Sequence, residues 1–120
     1  MGNPVVHFDV GCSNSEESRQ FYQSVFDWSA EAYGPYSFKF DTGSSRGIPG
    51  YTTALGHEPH RYVMFYVEVD DIASKSELVE QQGGEIVIPE TPVPGSGAFA
   101  WCKDPAGNLF GLWKPKNEGS

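Results

Sequence analysis

The sequence predicts an α+β fold of two paired βαβββ modules whose curved sheets enclose a cavity. Three observations predict it. Apolar and polar residues alternate over residues 5–10 and again over 61–69, as half-covered strands require. Each of these segments runs into a capped helical segment. Equivalent landmarks then keep a steady offset: 58 residues from Ser13 to Asp71, 59 from His7 to Tyr66 and 61 from Gly50 to Gly111. A period of about 60 that occurs only twice describes paired modules rather than a solenoid array.

In the first strand, Val6, Phe8 and Val10 share one face, and Val5, His7 and Asp9 the other. Ser13-Asn14-Ser15-Glu16 fits a capping box with Ser13 as the cap, and Phe21, Tyr22, Val25 and Phe26 recur at helical spacing to about residue 28. Gly34-Pro35 marks a turn, residues 36–40 alternate, 41–47 (DTGSSRG) form a loop, and 48–54 form a short strand despite Pro49 and Gly50. After a connector around residues 56–60 the second module begins. Val63, Phe65, Val67 and Val69 face one way, and Tyr62, Met64, Tyr66 and Glu68 the other. Asp71 caps a helix with an apolar stripe of Ile72, Leu78 and Val79, and Gly83-Gly84 ends it. Strands follow at 85–88, 98–103 and 109–114, separated by a Pro/Gly-rich loop (PETPVPGSG) and by the turn Asp104-Pro105-Ala106-Gly107-Asn108.

One domain of 1–120 is expected, with module one at about 4–56 and module two at about 60–115; 120 residues with 3 Trp, 6 Tyr and 8 Phe can close a core without staples. The 16 acidic residues against 8 basic ones leave a charge of −8, and the basic residues form no run, which argues against nucleic acid and favours cationic or neutral ligands. No apolar stretch is long enough to span a bilayer and no leader pattern precedes residue 5, so no membrane partner is expected and the cytoplasm is the expected location. Cys12 and Cys102 belong to no Cys-x-x-Cys pair and read as reduced, structural thiols, with a single bridge as the alternative.

Val6-His7-Phe8-Asp9-Val10, the helix motif Phe21-Tyr22-x-x-Val25-Phe26-x-Trp28, Val67-Glu68-Val69-Asp70-Asp71 and the final Lys103-Asp104-Pro105-Ala106-Gly107-Asn108-Leu109-Phe110-Gly111-Leu112-Trp113 together resemble the vicinal oxygen chelate superfamily. Glyoxalases, bleomycin-resistance proteins and extradiol dioxygenases belong to it. The resemblance covers the chain from Val5 to Lys114 and implies a cavity at whose centre metal-using members place a His or Gln from the first strand of each module and a Glu from the last. Those positions fall here on His7, Gly50, Tyr66 and Gly111. Only His7 keeps a ligand type, while a catalytic divalent ion usually needs about three protein ligands.

The first reading is therefore a metal-free, cofactor-free small-molecule-binding protein whose cavity is lined by His7, Thr52, Tyr66, Glu68 and Trp113, with Gly50 and Gly111 leaving room where other members hold their metal. Its ligand is a small aromatic or cationic molecule, and the resemblance implies a homodimer. The second reading is a glyoxalase-like lyase, isomerase or dioxygenase. In it His7 acts as base with Tyr66 stabilising an oxyanion, or joins Asp9 or Glu68 in a displaced divalent-metal site. Trp113 shares a face with Gly111 and is preferred over Trp101, which reads as core. His57, Glu58 and His60 read as a solvated connector because Pro59 breaks helical spacing.

Overall fold

The computed structural model describes residues 2–54 and 61–116. Its element order is β1 (Val5–Gly11), α1 (Ser15–Phe26), β2 (Ser29–Ala32), β3 (Ser37–Asp41), β4 (Gly50–Thr53), β5 (Tyr62–Glu68), α2 (Ile72–Gln81), β6 (Glu85–Val93), β7 (Gly97–Lys103) and β8 (Leu109–Pro115). The expected α+β class is the observed one, with strand, helix and three strands occurring twice in succession. The chain divides into two compact units, one spanning residues 6–64 and the other residues 65–116 together with the first few residues.

In the first unit the strands run in the order β2-β3-β4-β1, with β1 and β4 parallel and the other pairs antiparallel. Helix α1 packs on β2, β3 and β4. Its side of the sheet is an aromatic cluster in which Trp28 lies 5.3 Å from Phe40, 5.7 Å from Phe8 and 5.5 Å from Tyr22 between ring centroids. Phe40 is fully buried there. The second unit repeats the arrangement as β5-β8-β7-β6, with β5 and β8 parallel and α2 against β6, β7 and β8. Val69, Ile72, Ala100, Cys102 and Leu112 form its buried core under α2. Burying five such side chains contributes on the order of 1.5–3 kcal/mol for each large one.

Several boundaries differ from those expected, each for a local reason. Asn14, not Ser13, is the N-cap of α1: it sits in extended backbone and accepts from the Glu17 amide at 3.0 Å, one residue beyond the expected box. The helix ends at Phe26 because Asp27 turns left-handed at φ 60°. Strand β2 (SAEA) carries no β-branched or aromatic residue and escapes a reading by periodicity; its pairing with β3 is what makes it a strand. Strand β6 runs on through Pro89 and Pro92, where a loop is expected, because it is the outer strand of its order and takes up two register shifts. Asp71 caps α2 as expected. Gly83 at φ 96° closes it, with amide bonds from Gly83 to Glu80 and from Gly84 to Val79. The connector carrying His57, Glu58 and His60 lies outside the described residues.

Candidate functional site

Strand periodicity gives each sheet one face under its helix and one without. In the first unit the helix-free face carries His7 and Asp9 on β1 with Tyr51 and Thr53 on β4, because β1 and β4 pair as Asp9 with Tyr51 and Gly11 with Thr53. The side chains meet there. The His7 ring stands edge-on to Tyr51 at 5.5 Å, and Tyr51 lies 5.1 Å from Tyr33. Asp9 is buried and accepts the Thr53 hydroxyl at 3.3 Å; Ser37 and Thr53 are in turn 3.3 Å apart. The Tyr62 ring lies over Gly11, where a Cβ would come within 2.1 Å of it.

Burial on this face keeps the His7 imidazole and the Tyr51 and Tyr62 phenols uncharged. Burial, and then the charge of Lys39, lower His7 from 6.5 to about 4, so the imidazole is neutral at pH 7 and serves as a hydrogen-bonding group rather than a cation. Burial, and then the Asp9 carboxylate, raise the Tyr62 phenol; burial, Tyr33 and Asp9 raise Tyr51. Both remain hydroxyl donors at neutral pH. Because the folded pKa of His7 is depressed, its contribution to stability is fully present above pH 6.5 and is lost as pH falls from there through about 4. Relative to His7→Asn, the native protein is expected to lose about 1 kcal/mol between pH 7.5 and pH 5, a figure discounted for the partly exposed ring. Urea unfolding of both proteins at the two pH values checks it, and equal losses would show that His7 ionises freely.

In the second unit the helix-free face is organised in two cross-strand rows. One row is Tyr66, Gly111 and Trp101, since Gly111 pairs with Tyr66 on one side and with Trp101 on the other. The next is Glu68, Trp113 and Phe99. Gly111 has no side chain, so the Tyr66 ring lies down across it: a Cβ built there would be 2.3 Å from the ring. The Tyr66 oxygen thereby reaches the indole of Trp101, two strands away, and accepts its N–H at 2.7 Å in a buried hydrogen bond. Both side chains are only 7% exposed.

Four of the five expected lining residues stand on helix-free faces, His7 in the first unit and Tyr66, Glu68 and Trp113 in the second. Thr52 does not, and this corrects the expectation. It is fully buried on the α1 side of the sheet with its hydroxyl 3.2 Å from the Cys12 sulfur, and Tyr51 and Thr53 occupy the face expected of it. The cause is a one-residue error in the offset. Asp9 pairs with Tyr51 and Glu68 with Trp113, so β4 and β8 correspond at 62 residues, not the 61 that aligns Gly50 with Gly111.

The two glycines therefore do not leave room. Gly50 faces α1, where a Cβ would come within 2.1 Å of the Phe8 ring, and Gly111 is covered by Tyr66. Trp101, expected as plain core, is instead a partner of Tyr66. The signal that identifies it is the hairpin: counting outward from the turn at residues 104–108, Lys103 meets Leu109 and Trp101 meets Gly111.

The implied metal positions fail a donor test on this geometry. Gly50 points away from His7's face, Gly111 lies under a ring, and the Tyr66 oxygen already accepts the Trp101 N–H. Within either unit, no three His, Cys, Asp or Glu side chains among the described residues gather to hold an ion. Cys12 and Cys102 are free thiols; burial raises Cys102 to about 11, which keeps it protonated and inert. No helix among the described residues is long and apolar enough to cross a membrane.

Two successive βαβββ units, each with a helix on one sheet face and polar and aromatic side chains on the other, define a glyoxalase-like fold. The model of the Glyoxalase/Bleomycin resistance protein/Dioxygenase superfamily matches residues 5–112, and the chain belongs to that superfamily. It is 28% identical over 124 residues to the anthracycline biosynthesis protein DnrV of Streptomyces peucetius, covering 89% of this chain and 45% of that protein. It is 25% identical over 117 residues to the putative glyoxylase CFP32 of Mycobacterium bovis, covering 88% and 43%. The chain thus spans less than half the length of these curated relatives. A superfamily member from Vibrio splendidus 12B01 shares the fold, with a TM-score of 0.65 at 15% identity over 96% of this chain and 100% of that one.

Proposed function

We propose that the protein binds a small aromatic molecule, neutral or cationic, on a helix-free sheet face, with His7 as the candidate contact residue of the first unit's face and Tyr66, Glu68 and Trp113 as those of the second's, and without the metal ion that other superfamily members use. The observation that carries this reading is the loss of the donor set: at the four implied ligand positions only His7 offers a metal-binding nitrogen, and the glycine at Gly111 serves to seat a tyrosine ring. Aromatic side chains on these faces supply stacking area, and Glu68 beside Trp113 suits a cationic edge. The likeness to a protein of anthracycline biosynthesis supports an aromatic ligand, because anthracyclines are fused-ring aromatics. A His7 held near pKa 4 is a weak base, which favours binding over proton abstraction.

The free thiols suit the reducing cytoplasm, where we place the protein. A homodimer is the expected assembly, supported by Phe21, Val25 and Phe26, which leave more than half of their surface exposed on α1. Native mass spectrometry of protein purified without chelator or affinity-metal exposure tests these points together. The expected result is a dimer free of metal, bare or with an organic ligand. A stoichiometric transition metal would overturn the metal-free reading and direct attention to His7 with Asp9 or Glu68. His7→Ala is expected to change ligand affinity only; abolition of a turnover would instead establish the enzyme reading.

A further inference from the structure

A groove of about 300 Å³ lies beside α1 in the first unit, a volume at the lower limit of small-molecule sites. Val10 and Cys12, at the end of β1, line it from the sheet; both face α1, because they alternate with Asp9 and Gly11 and because the Cys12 sulfur lies against Thr52. Glu17, Ser18 and Tyr22 line it from two successive turns of α1. Arg61 completes the lining from the residue before β5, next to Tyr62, whose ring covers Gly11. The charges of this groove are not neutralised locally. Glu16 is bonded to Arg19, but among the described residues neither the Glu17 carboxylate nor the Arg61 guanidinium forms an ion pair. The two share one groove as opposite charges too far apart to bond to each other. The head of α1 adds no anion site of its own, since Asn14 already accepts the Glu17 amide and the two glutamates make the first turn negative.

We propose that this groove binds a small zwitterion, an α-amino acid with an apolar side chain, whose carboxylate meets Arg61, whose ammonium meets Glu17 and whose side chain rests against Val10 and Tyr22. Charge balance selects this class. A simple anion is attracted by Arg61 and repelled by Glu17, and a simple cation the reverse, whereas a zwitterion engages both through charge-assisted hydrogen bonds. Its zero net charge also avoids the repulsion that a chain of charge −8 exerts on anions. The groove lies on the opposite side of the first unit's sheet from His7, so this site stands independently of the aromatic-ligand reading above.

The test is calorimetric titration of the full chain with L-leucine, with 4-methylpentanoate, which lacks the ammonium, and with 3-methylbutylamine, which lacks the carboxylate. The native protein is expected to bind leucine about tenfold more tightly than either analogue, the worth of one charge-assisted hydrogen bond. Arg61→Gln is expected to remove the preference for leucine over the amine, and Glu17→Gln the preference over the carboxylate, each to about twofold or less. Both positions are exposed, so neither change threatens the fold. Arg46→Gln makes the same change of charge on another exposed arginine, outside the groove, and is expected to keep the native preferences. Native protein that fails to bind leucine, or binds it no better than its analogues, would overturn the site. So would an Arg61→Gln or Glu17→Gln protein that keeps the native preference, or an Arg46→Gln protein that loses it. None of these results bears on whether an aromatic molecule binds to the helix-free faces.

Discussion

Gly111→Ala is expected to lower the stability of the protein by about 2–4 kcal/mol, a large effect for a single methyl group. The added Cβ would stand 2.3 Å from the Tyr66 ring, a distance that no rotamer adjustment at position 111 relieves. Tyr66 is buried in its row and tied to Trp101, so moving its ring breaks a buried hydrogen bond and leaves an indole N–H to be satisfied elsewhere. Overpacking accounts for about 1–3 kcal/mol and the unsatisfied donor for about 1–3 more, with some relaxation shared between them. Chemical denaturation measures the sum. The decisive control is the same substitution in a Tyr66→Ala background, where the ring is gone and the alanine should cost less than about 0.5 kcal/mol. Equal effects in the two backgrounds would show that the glycine is needed for some reason other than the ring.

Gly50→Glu, the change that would restore the superfamily's carboxylate at the position first aligned with Gly111, is expected to prevent folding or to cost more than about 4 kcal/mol. Its side chain would enter the α1 side of the sheet, where a Cβ already comes within 2.1 Å of Phe8 and where Phe8, Trp28 and Phe40 form the aromatic core. A carboxylate there must be buried among aromatic rings or expel the cluster, since Arg19, which lies over Phe38 on the same side of the sheet, is already bonded to Glu16. One residue along, Tyr51→Gln is expected to cost no more than about 1.5 kcal/mol, because position 51 is on the helix-free face and only partly buried. Yield of soluble protein and a thermal melt separate the two. A folded Gly50→Glu protein beside an unfolded Tyr51→Gln protein would reverse the assignment of faces on β4.

The residues of the site divide according to how far along the chain the relevant signal lies. His7 and Asp9, and Tyr66 and Glu68, were legible because alternation along a strand depends only on neighbours two residues apart, and β1 and β5 keep it without interruption. Trp113 was legible for the same reason. Thr52 was misplaced because its face depends on how β4 pairs with β1, a partner about 40 residues earlier. The loop between them hides a one-residue difference from the other module, and with a period of two a slip of one residue moves a side chain to the opposite face.

Trp101 illustrates the other limit. Its parity on β7 is readable, but its bond to Tyr66 spans β5, β8 and β7 and exists only because Gly111 stands between them.

From the sequence by itself came the order of the elements other than β2, the doubling of the unit, the cap at Asp71 and the helix-free faces of β1, β5 and β8, all of which follow from local periodicity and local hydrogen bonding. Only the tertiary structure decided the strand status of β2, the continuation of β6 through its prolines, the face of β4, and the rings that cover Gly50 and Gly111. These depend on which backbone lies 4.8 Å away in the sheet, and that neighbour is chosen by the packing of the whole unit rather than by the residues beside it in the chain.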